Sequence, residues 1–469
     1  MKLDNYFAAF DLGTSKIVGV IGQRNSDNTI TIQAIEKEDS LSSIKRGCIQ
    51  NLDDVATKIK RIIRKLNNQV QPEIERVYVS IGGQSVRSID CTSTLFFGAE
   101  NVINEATLEQ LVTNSRNQQP EGVEVLDIVE NYFLVDDQRT HNPLGKLASE
   151  IVASHKVIIS RPAFYKNLIK CFEDKVDIEI AGTIPSSLAA SASILSDEEM
   201  SRGCVLVDFG AGTTTVTVFK DGVLAHTAVI PFGGQHITMD ITSLGLSESD
   251  AEKLKLSQGS ARFDDTADNK VLRQQVATAT DGSKIELQKL HHVIEARIEE
   301  ILLNIGAQID EAGYQRHQLE AGIIIIGGAS QLKNLPGFIT EKLGMDVKKG
   351  ILPKTISVAN AEVGALSGLN IVAGLLMLAE ANCAAYVAPP VIEKPEPKVI
   401  EPEFFATPAA TIEVEPKREE PRTVYAEEPR TSTHRTESRN DDDEDNYKKK
   451  KKPKGSFLEG IGRLFSVDD

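Results

Sequence analysis

The sequence contains no run of 18 apolar residues; its nearest approach, Leu369 to Ala381, is too short to cross a bilayer and includes Asn370 and Glu380. No membrane span is expected from it. The start, MKLDNYFAAFDLG, lacks a basic segment followed by a long apolar one, so no signal peptide is expected either. Cysteine is sparse: Cys48, Cys91, Cys171, Cys204 and Cys383 stand far apart, with no CxxC and no clustering with histidine. That spacing argues against a disulfide framework or a zinc site and suits a reducing cytoplasm, where free cysteines serve as small buried hydrophobes. Positive charge is also in deficit, with a formal net charge of −16. A general nucleic-acid binder needs a cationic surface to release counterions, so no nucleic-acid partner is expected.

What is present is ordinary globular material, 41% hydrophobic and 26% charged, in a 469-residue chain long enough for two or more domains. Up to about Tyr386, apolar strand-like runs such as FAAFDLG, GCVLVDFG and GIIIIGG alternate with helical patterns, which indicates an α/β protein. The composition then shifts: ten of the 18 prolines lie between Pro389 and Pro453, amid Glu, Arg, Ser and Thr. Such a segment buries too little apolar surface to offset its ordering cost and reads as an extended, disordered linker. The acidic run Asp441 to Asp445 reads as solvated.

Two stretches repeat one design. FAAFDLGTSKIVGVIGQ and CVLVDFGAGTTTVTVFKDG each run apolar strand, Asp-x-Gly, small hydroxyl residues and an alternating second strand. A duplication of that size suggests two similar lobes facing each other. After Asp11, Gly13 permits a tight reversal, and Thr14 and Ser15 add hydroxyls beside exposed backbone N–H groups; Lys16 adds a point charge. After Asp208, Gly210, Ala211 and Gly212 give close approach, while Thr213 and Thr214 give donors. Each turn alone also reads as a plain hairpin. As a pair they make two phosphate cradles whose carboxylates, Asp11 and Asp208, can hold a hydrated Mg²⁺. A third element, AGIIIIGGASQLKNLPGF, places Gly327, Gly328, Ala329 and Ser330 after a wholly apolar strand, where a flat nucleoside can lie against backbone.

DLGTSK, DFGAGTT and GGAS, in this order, resemble the phosphate and adenosine motifs of the actin/Hsp70/sugar-kinase ATPases, and within them the FtsA family of bacterial cell-division proteins, over residues 1 to 385. The resemblance implies ATP and Mg²⁺ as ligands and a two-lobed, actin-like (duplicated ribonuclease H-like) fold. It assigns residues 1–83 and 161–200 to the first lobe core, 84–160 to an inserted α+β subdomain, 201–237 and 318–385 to the second lobe core and 238–317 to its outer subdomain. It implies Glu252, Lys253 and Lys255 of AEKLKLSQGSA near adenosine and ribose, and Gly233 and Gly234 of PFGGQHITMDI near the phosphates. SVANAEVGALSGL resembles the second hinge helix. In the first hinge segment, chaperone-type members have a Glu before a Pro; here Ile184 precedes Pro185 and cannot align a water, so tight binding with slow hydrolysis at most is expected.

The implied partners are a second copy of the chain in a polymer, later division proteins and the C-terminal tail of the division tubulin FtsZ. On the long amphipathic helix around SKIELQKLHHVIEARIEEILLNIGAQIDEAGY, Arg297 stands where the family has a tail-contacting arginine; pairing with a Glu of its own helix is the alternative. DDQRTHNP, with Asp136, Asp137 and His141, reads as a polar turn rather than a metal site.

The C-terminus joins a 386–454 linker, ending in Lys448, Lys449, Lys450, Lys451, Lys452 and Lys454, to a 455–469 segment. Phe457, Leu458, Ile461, Leu464 and Phe465 form one apolar arc on a helical wheel. Gly460 and Gly462 each cost about 1 kcal/mol relative to Ala, so an apolar surface has to induce this helix. Each lysine near an anionic leaflet adds roughly 1 kcal/mol, so the segment reads as a weak, reversible anchor to anionic membrane lipids; docking on a protein partner is the alternative. These features point to an ATP-binding protein that polymerises on the cytoplasmic side of the inner membrane at the division site and tethers the FtsZ ring. The competing readings are a sugar kinase, a chaperone, an MreB-like filament former and a PilM-like pilus assembly ATPase. The kinase lacks an evident general base, the chaperone a substrate domain, and the last two a tail of this kind.

Overall fold

The computed structural model describes residues 6–40, 42–70, 73–263, 276–278, 282, 284–359 and 368–384. The linker, the lysine block and the arc from Phe457 to Phe465 lie outside them, as does most of SVANAEVGALSGL. Among the described residues no helix is long and apolar enough to cross a membrane.

The first repeated stretch folds as an antiparallel pair, Tyr6–Leu12 against Lys16–Arg24, with Asp11 opposite Val18. Ile30–Asp39 extends it as a meander. Helix Leu52–Asn67 then carries the chain across. Its start is fixed by the Asn51 side chain accepting from the Asp54 N–H, by Asp53 and Asp54 in the first turn and by Arg64 and Lys65 in the last, which complement the helix dipole. Val55, Ala56, Ile59, Ile62 and Leu66 form its buried face. Strand Arg76–Ile81 follows, parallel to Tyr6–Leu12, and Glu179–Pro185 lies parallel beside it.

The second repeated stretch builds the same pattern. Cys204–Phe209, Thr214–Lys220 and Val223–Ile230 form an antiparallel meander; Ile323–Ile326 and then Val347–Lys349 add in parallel on the other side. The duplication in sequence is therefore a duplication in topology: in each lobe a three-stranded meander carries two parallel strands on the side of its first strand. Between the second meander and Ile323 runs helix Leu287–Glu311, whose buried Leu287, Leu290, Ile294, Ile298, Ile301, Leu302 and Ile305 are the expected stripe.

The end of the 318–385 assignment departs from the expected layout. Two pieces of chain assigned above to the second lobe belong to the first: Ile356–Val358 pairs with Ile30–Asp39, and Leu369, Val372, Leu375 and Leu376 are buried with Phe7, Ile21 and Ile32. Arg24 secures the end of helix Asn370–Leu378, donating to the carbonyls of Leu376, Met377 and Ala379 at 3.2, 2.9 and 2.7 Å. An apolar helix does not name in its sequence the sheet on which it packs.

The inserted segment forms Arg87–Val102, helix Glu105–Asn117, Glu124–Val135, Gln138–Thr140 and Leu147–Ser160. It joins the second sheet, with Arg87 pairing to Ala228 and the Thr227 N–H donating to Ser88 Oγ at 2.9 Å. DDQRTHNP is a hairpin turn: Asp136 and Asp137 have φ of 45° and 65°, and the Asp136 carboxylate accepts from the Ser149 and Glu150 N–H groups.

The resulting six-stranded sheet ends on Glu179–Pro185 and Ile356–Val358, and the nine-stranded sheet on Val347–Lys349 and Gln138–Thr140. Helix Ser186–Ile194, SSLAASASI, leaves the first lobe and crosses helix Asn370–Leu378. At the crossing a Cβ on Gly374 would fall on the carbonyl oxygen of Ala189, so the two backbones are in contact.

Candidate functional site

Each meander delivers its aspartate at the end of a central strand. Asp11 is the penultimate residue of Tyr6–Leu12, and the Gly13 N–H donates to the Lys16 carbonyl at 3.0 Å to close the turn. Asp208 lies near the end of Cys204–Phe209 and is level with Ile326 of the parallel neighbour, so the Gly327–Gly328 turn follows directly beside it. Both turns open into one cleft of 1410 Å³ between the lobes. Asp11, Gly13, Thr14, Ser15, Lys16, Asp208, Gly210, Ala211, Gly212 and Thr213 line it, together with Gly234, Glu252, Lys253, Lys255, Gly327, Gly328 and Ala329. The two turns touch: a Cβ on Gly212 would lie 2.6 Å from Thr14 Oγ1, so no larger residue fits there without parting them.

Three expected residues support the cleft without lining it. Thr214 is buried with its hydroxyl donated to the Phe232 carbonyl at 2.9 Å, and Ser330 is buried with its hydroxyl donated to the Gly327 carbonyl at 2.7 Å. Gly233 precedes the Gly234–Thr242 helix, which is docked on the second turn by N–H donation from Gly234 to Gly210 O (2.9 Å) and from Gln235 to Ala211 O (2.8 Å). Lys255 lines the cleft, but its ammonium, 8% exposed, is taken up by the Gly234 carbonyl at 2.9 Å, Thr238 Oγ1 at 2.8 Å and Glu252 at 2.6 Å. Glu252 also accepts from Thr238. Lys255 and Glu252 thus brace two helices, Gly234–Thr242 and Glu248–Gln258, against each other.

Sequence reasoning missed the residues that hold the first turn. Ser80 donates to Asp11 Oδ1 at 2.6 Å, Ser40 donates to the Gly13 carbonyl at 2.7 Å, and the Gly47 N–H donates to Thr14 Oγ1 at 3.1 Å. Ser80 ends an apolar strand in VYVSIGG, which is a weak signal for a polar role. Ile184 lies level with Ser80 on the adjacent strand, and its apolar side chain packs into the core there.

The electrostatics test whether a divalent cation fits. Burial raises the Asp11 carboxyl above its ordinary range, opposed by the Ser80 hydrogen bond and by Lys16. Burial and the charge of Asp11 push Asp208 up to about 7, again opposed by Lys16. Two carboxylates that resist ionising together are suited to a cation placed between them. Among the described residues no group of three or more His, Cys, Asp or Glu gathers, so such a cation would draw its other ligands from water and phosphate, as Mg²⁺ does.

Arg297 lies on helix Leu287–Glu311 and is engaged within the protein. Its Nε and Nη2 meet Asp240 at 2.6 and 3.1 Å, its Nη1 pairs with Glu300 one turn on, and its guanidinium sits 5.4 Å from the Phe232 ring centroid. Asp240 raises its pKa further.

Comparison with known proteins agrees with this architecture. A family model described as "Cell division protein FtsA" matches residues 205–366, and one described as "SHS2 domain inserted in FTSA" matches residues 83–159. The cell division protein FtsA of Porphyromonas gingivalis is 29% identical over 346 residues, covering 73% of this chain and 72% of that protein. That of Bacillus subtilis is 26% identical over 358 residues, covering 74% and 79%. Among solved structures, the PilM-PilN type IV pilus biogenesis complex superposes with a TM-score of 0.55 at 13% identity, covering 80% of this chain and 98% of that one, a likeness of fold. A duplicated actin-like fold, an inserted segment matched by a model specific to this lineage and relatives spanning most of the chain lead to one conclusion: the chain belongs to the FtsA family of actin-like cell-division ATPases.

Proposed function

We propose that this chain binds ATP with Mg²⁺ in the cleft, assembles into polymers on the cytoplasmic face of the inner membrane, and tethers the FtsZ ring there while recruiting later division proteins. The observation that carries the reading is the meeting of two equivalent Asp-Gly turns in a single cleft of a chain belonging to the FtsA family. Bound nucleotide would supply phosphate charge and ligands for the cation. The turns at Gly13–Lys16 and Gly210–Thr213 would hold its phosphates, Asp11 and Asp208 the hydrated Mg²⁺, and the Gly327–Ala329 backbone its nucleoside. Ile184 at the hinge supplies neither base nor water-orienting acceptor, in keeping with a nucleotide that mainly holds the lobes together and is hydrolysed slowly at most. Arg297 would exchange part of its pairing with Asp240 and Glu300 for an acidic residue of the FtsZ tail. The domain assignment, with Ile356–Val358 and Asn370–Leu378 packed on the first lobe, belongs to the same reading.

Imaging of the purified full-length chain on an anionic lipid monolayer tests it directly. Filaments are expected with ATP and Mg²⁺ and absent when Mg²⁺ is chelated; a bare monolayer in both conditions would reject the assembly role.

A further inference from the structure

One contact crosses the cleft from lobe to lobe. Arg46, in the Lys45-Arg46-Gly47 turn of the first lobe, reaches His236 of the second, with Nη2 and Nε2 3.5 Å apart. Both residues line the cleft. The other ring nitrogen of His236, Nδ1, faces the Gly233 N–H at 3.2 Å.

A neutral imidazole has one lone pair and one N–H. Burial and the charges of Arg46 and Arg297 hold His236 below the usual histidine range, so it is neutral near pH 7. With the lone pair of Nδ1 accepting from Gly233, Nε2 carries the proton and points at a guanidinium. Two donors then face each other, and among the described residues no carboxylate forms an ion pair with Arg46. The group that completes this arrangement is an acceptor with several lone pairs and negative charge.

Its place is set by the neighbours. Gly47, next to Arg46, donates to Thr14 of the first phosphate turn, and Gln235, next to His236, donates to Ala211 of the second. The donor pair therefore straddles both turns. We propose that Arg46 and His236, one from each lobe, jointly bind the terminal phosphate of a nucleoside triphosphate and make the cleft prefer triphosphate over diphosphate. This rests on the nucleotide reading above.

The test is calorimetric titration of the full-length chain with ATP and with ADP, each with Mg²⁺, in wild type, R46A and R46K. Arg46 is exposed, so these variants are expected to fold, and thermal unfolding verifies it. R46A should lower ATP affinity by about tenfold or more while ADP affinity stays within about twofold, as the loss of one charge-assisted contact to the terminal phosphate requires. R46K should recover part of the ATP affinity through its point charge. H236A should move the same ATP-to-ADP ratio in the same direction. An R46A protein with an unchanged ratio, whether both affinities fall together or neither moves, overturns the proposal. A wild-type chain that binds neither nucleotide overturns the nucleotide reading itself.

Discussion

Two carboxylates in one cleft give the protein a pH response that a single residue can expose. Asp208 has a folded-state pKa near 7 against an ordinary value of 3.8. Between those values the folded chain binds more protons than the unfolded one, so this group's stabilisation is present at low pH and is lost as pH rises toward and through 7. D208N removes the ionisation. Without Mg²⁺ and nucleotide, it should melt at least about 2 °C above wild type near pH 8, with the gap narrowing as pH falls toward about 4; a constant difference across that range would show that Asp208 is not the group responsible. Arg297 gives a second residue-scale prediction. R297E, which sets a third carboxylate beside Asp240 and Glu300, should weaken binding of an FtsZ-tail peptide by about tenfold or more. Unchanged affinity would remove Arg297 from that contact. The aspartates and glycines of the cleft were legible because the chemistry demands those residue types at that spacing. Ser80, Ser40 and the Arg46–His236 pair were not, since their roles come from strands and lobes far apart in sequence.

Two elements meet backbone to backbone where helix Ser186–Ile194 crosses helix Asn370–Leu378. G374A would drive a methyl group onto the Ala189 carbonyl; overpacking of that kind costs typically 1–3 kcal/mol, roughly 2–4 °C of melting temperature for each kcal/mol. G337A, in the exposed part of helix Leu335–Leu343, has open space for its Cβ and should be stabilising by up to about 1 kcal/mol. Parallel thermal melts compare them, and a G374A melt no lower than wild type would mean that the crossing can open at little cost. Most elements were readable from periodicity: the Leu287–Glu311 stripe and both meanders lie where their patterns indicate. The destinations of Ile356–Val358 and Asn370–Leu378 were not, because apolar patterning gives a buried face and leaves its partner unspecified.

For the molecule as a whole, the decisive comparison is between the chain with and without residues 455–469. Membrane contact by one tail has to overcome an ordering cost of about 1–2 kcal/mol per residue. Linked tails on a polymer raise overall avidity by about 10²–10⁴-fold. Full-length protein should therefore sediment with anionic liposomes far better with ATP and Mg²⁺ than without, and the truncated chain should remain in solution in both cases. Equal sedimentation of the two chains would defeat the anchor. The two-lobed plan was legible from the duplication, whereas the continuity of the inserted segment with the second sheet rests on the junction at Arg87 and Ala228, which no local pattern announces.

The sheet margins carry one more consequence. Three of the four, Ile356–Val358, Val347–Lys349 and Gln138–Thr140, are three residues long, and the fourth ends in Pro185. Longer backbone edges lie within the inserted segment: Gln138–Thr140 pairs only with Phe133, Leu134 and Val135 of Glu124–Val135, and among the described residues the far side of Arg87–Val102 is paired only at Arg87. If the proposed polymer shares any backbone pairing between copies, the inserted segment is where that pairing has room to form.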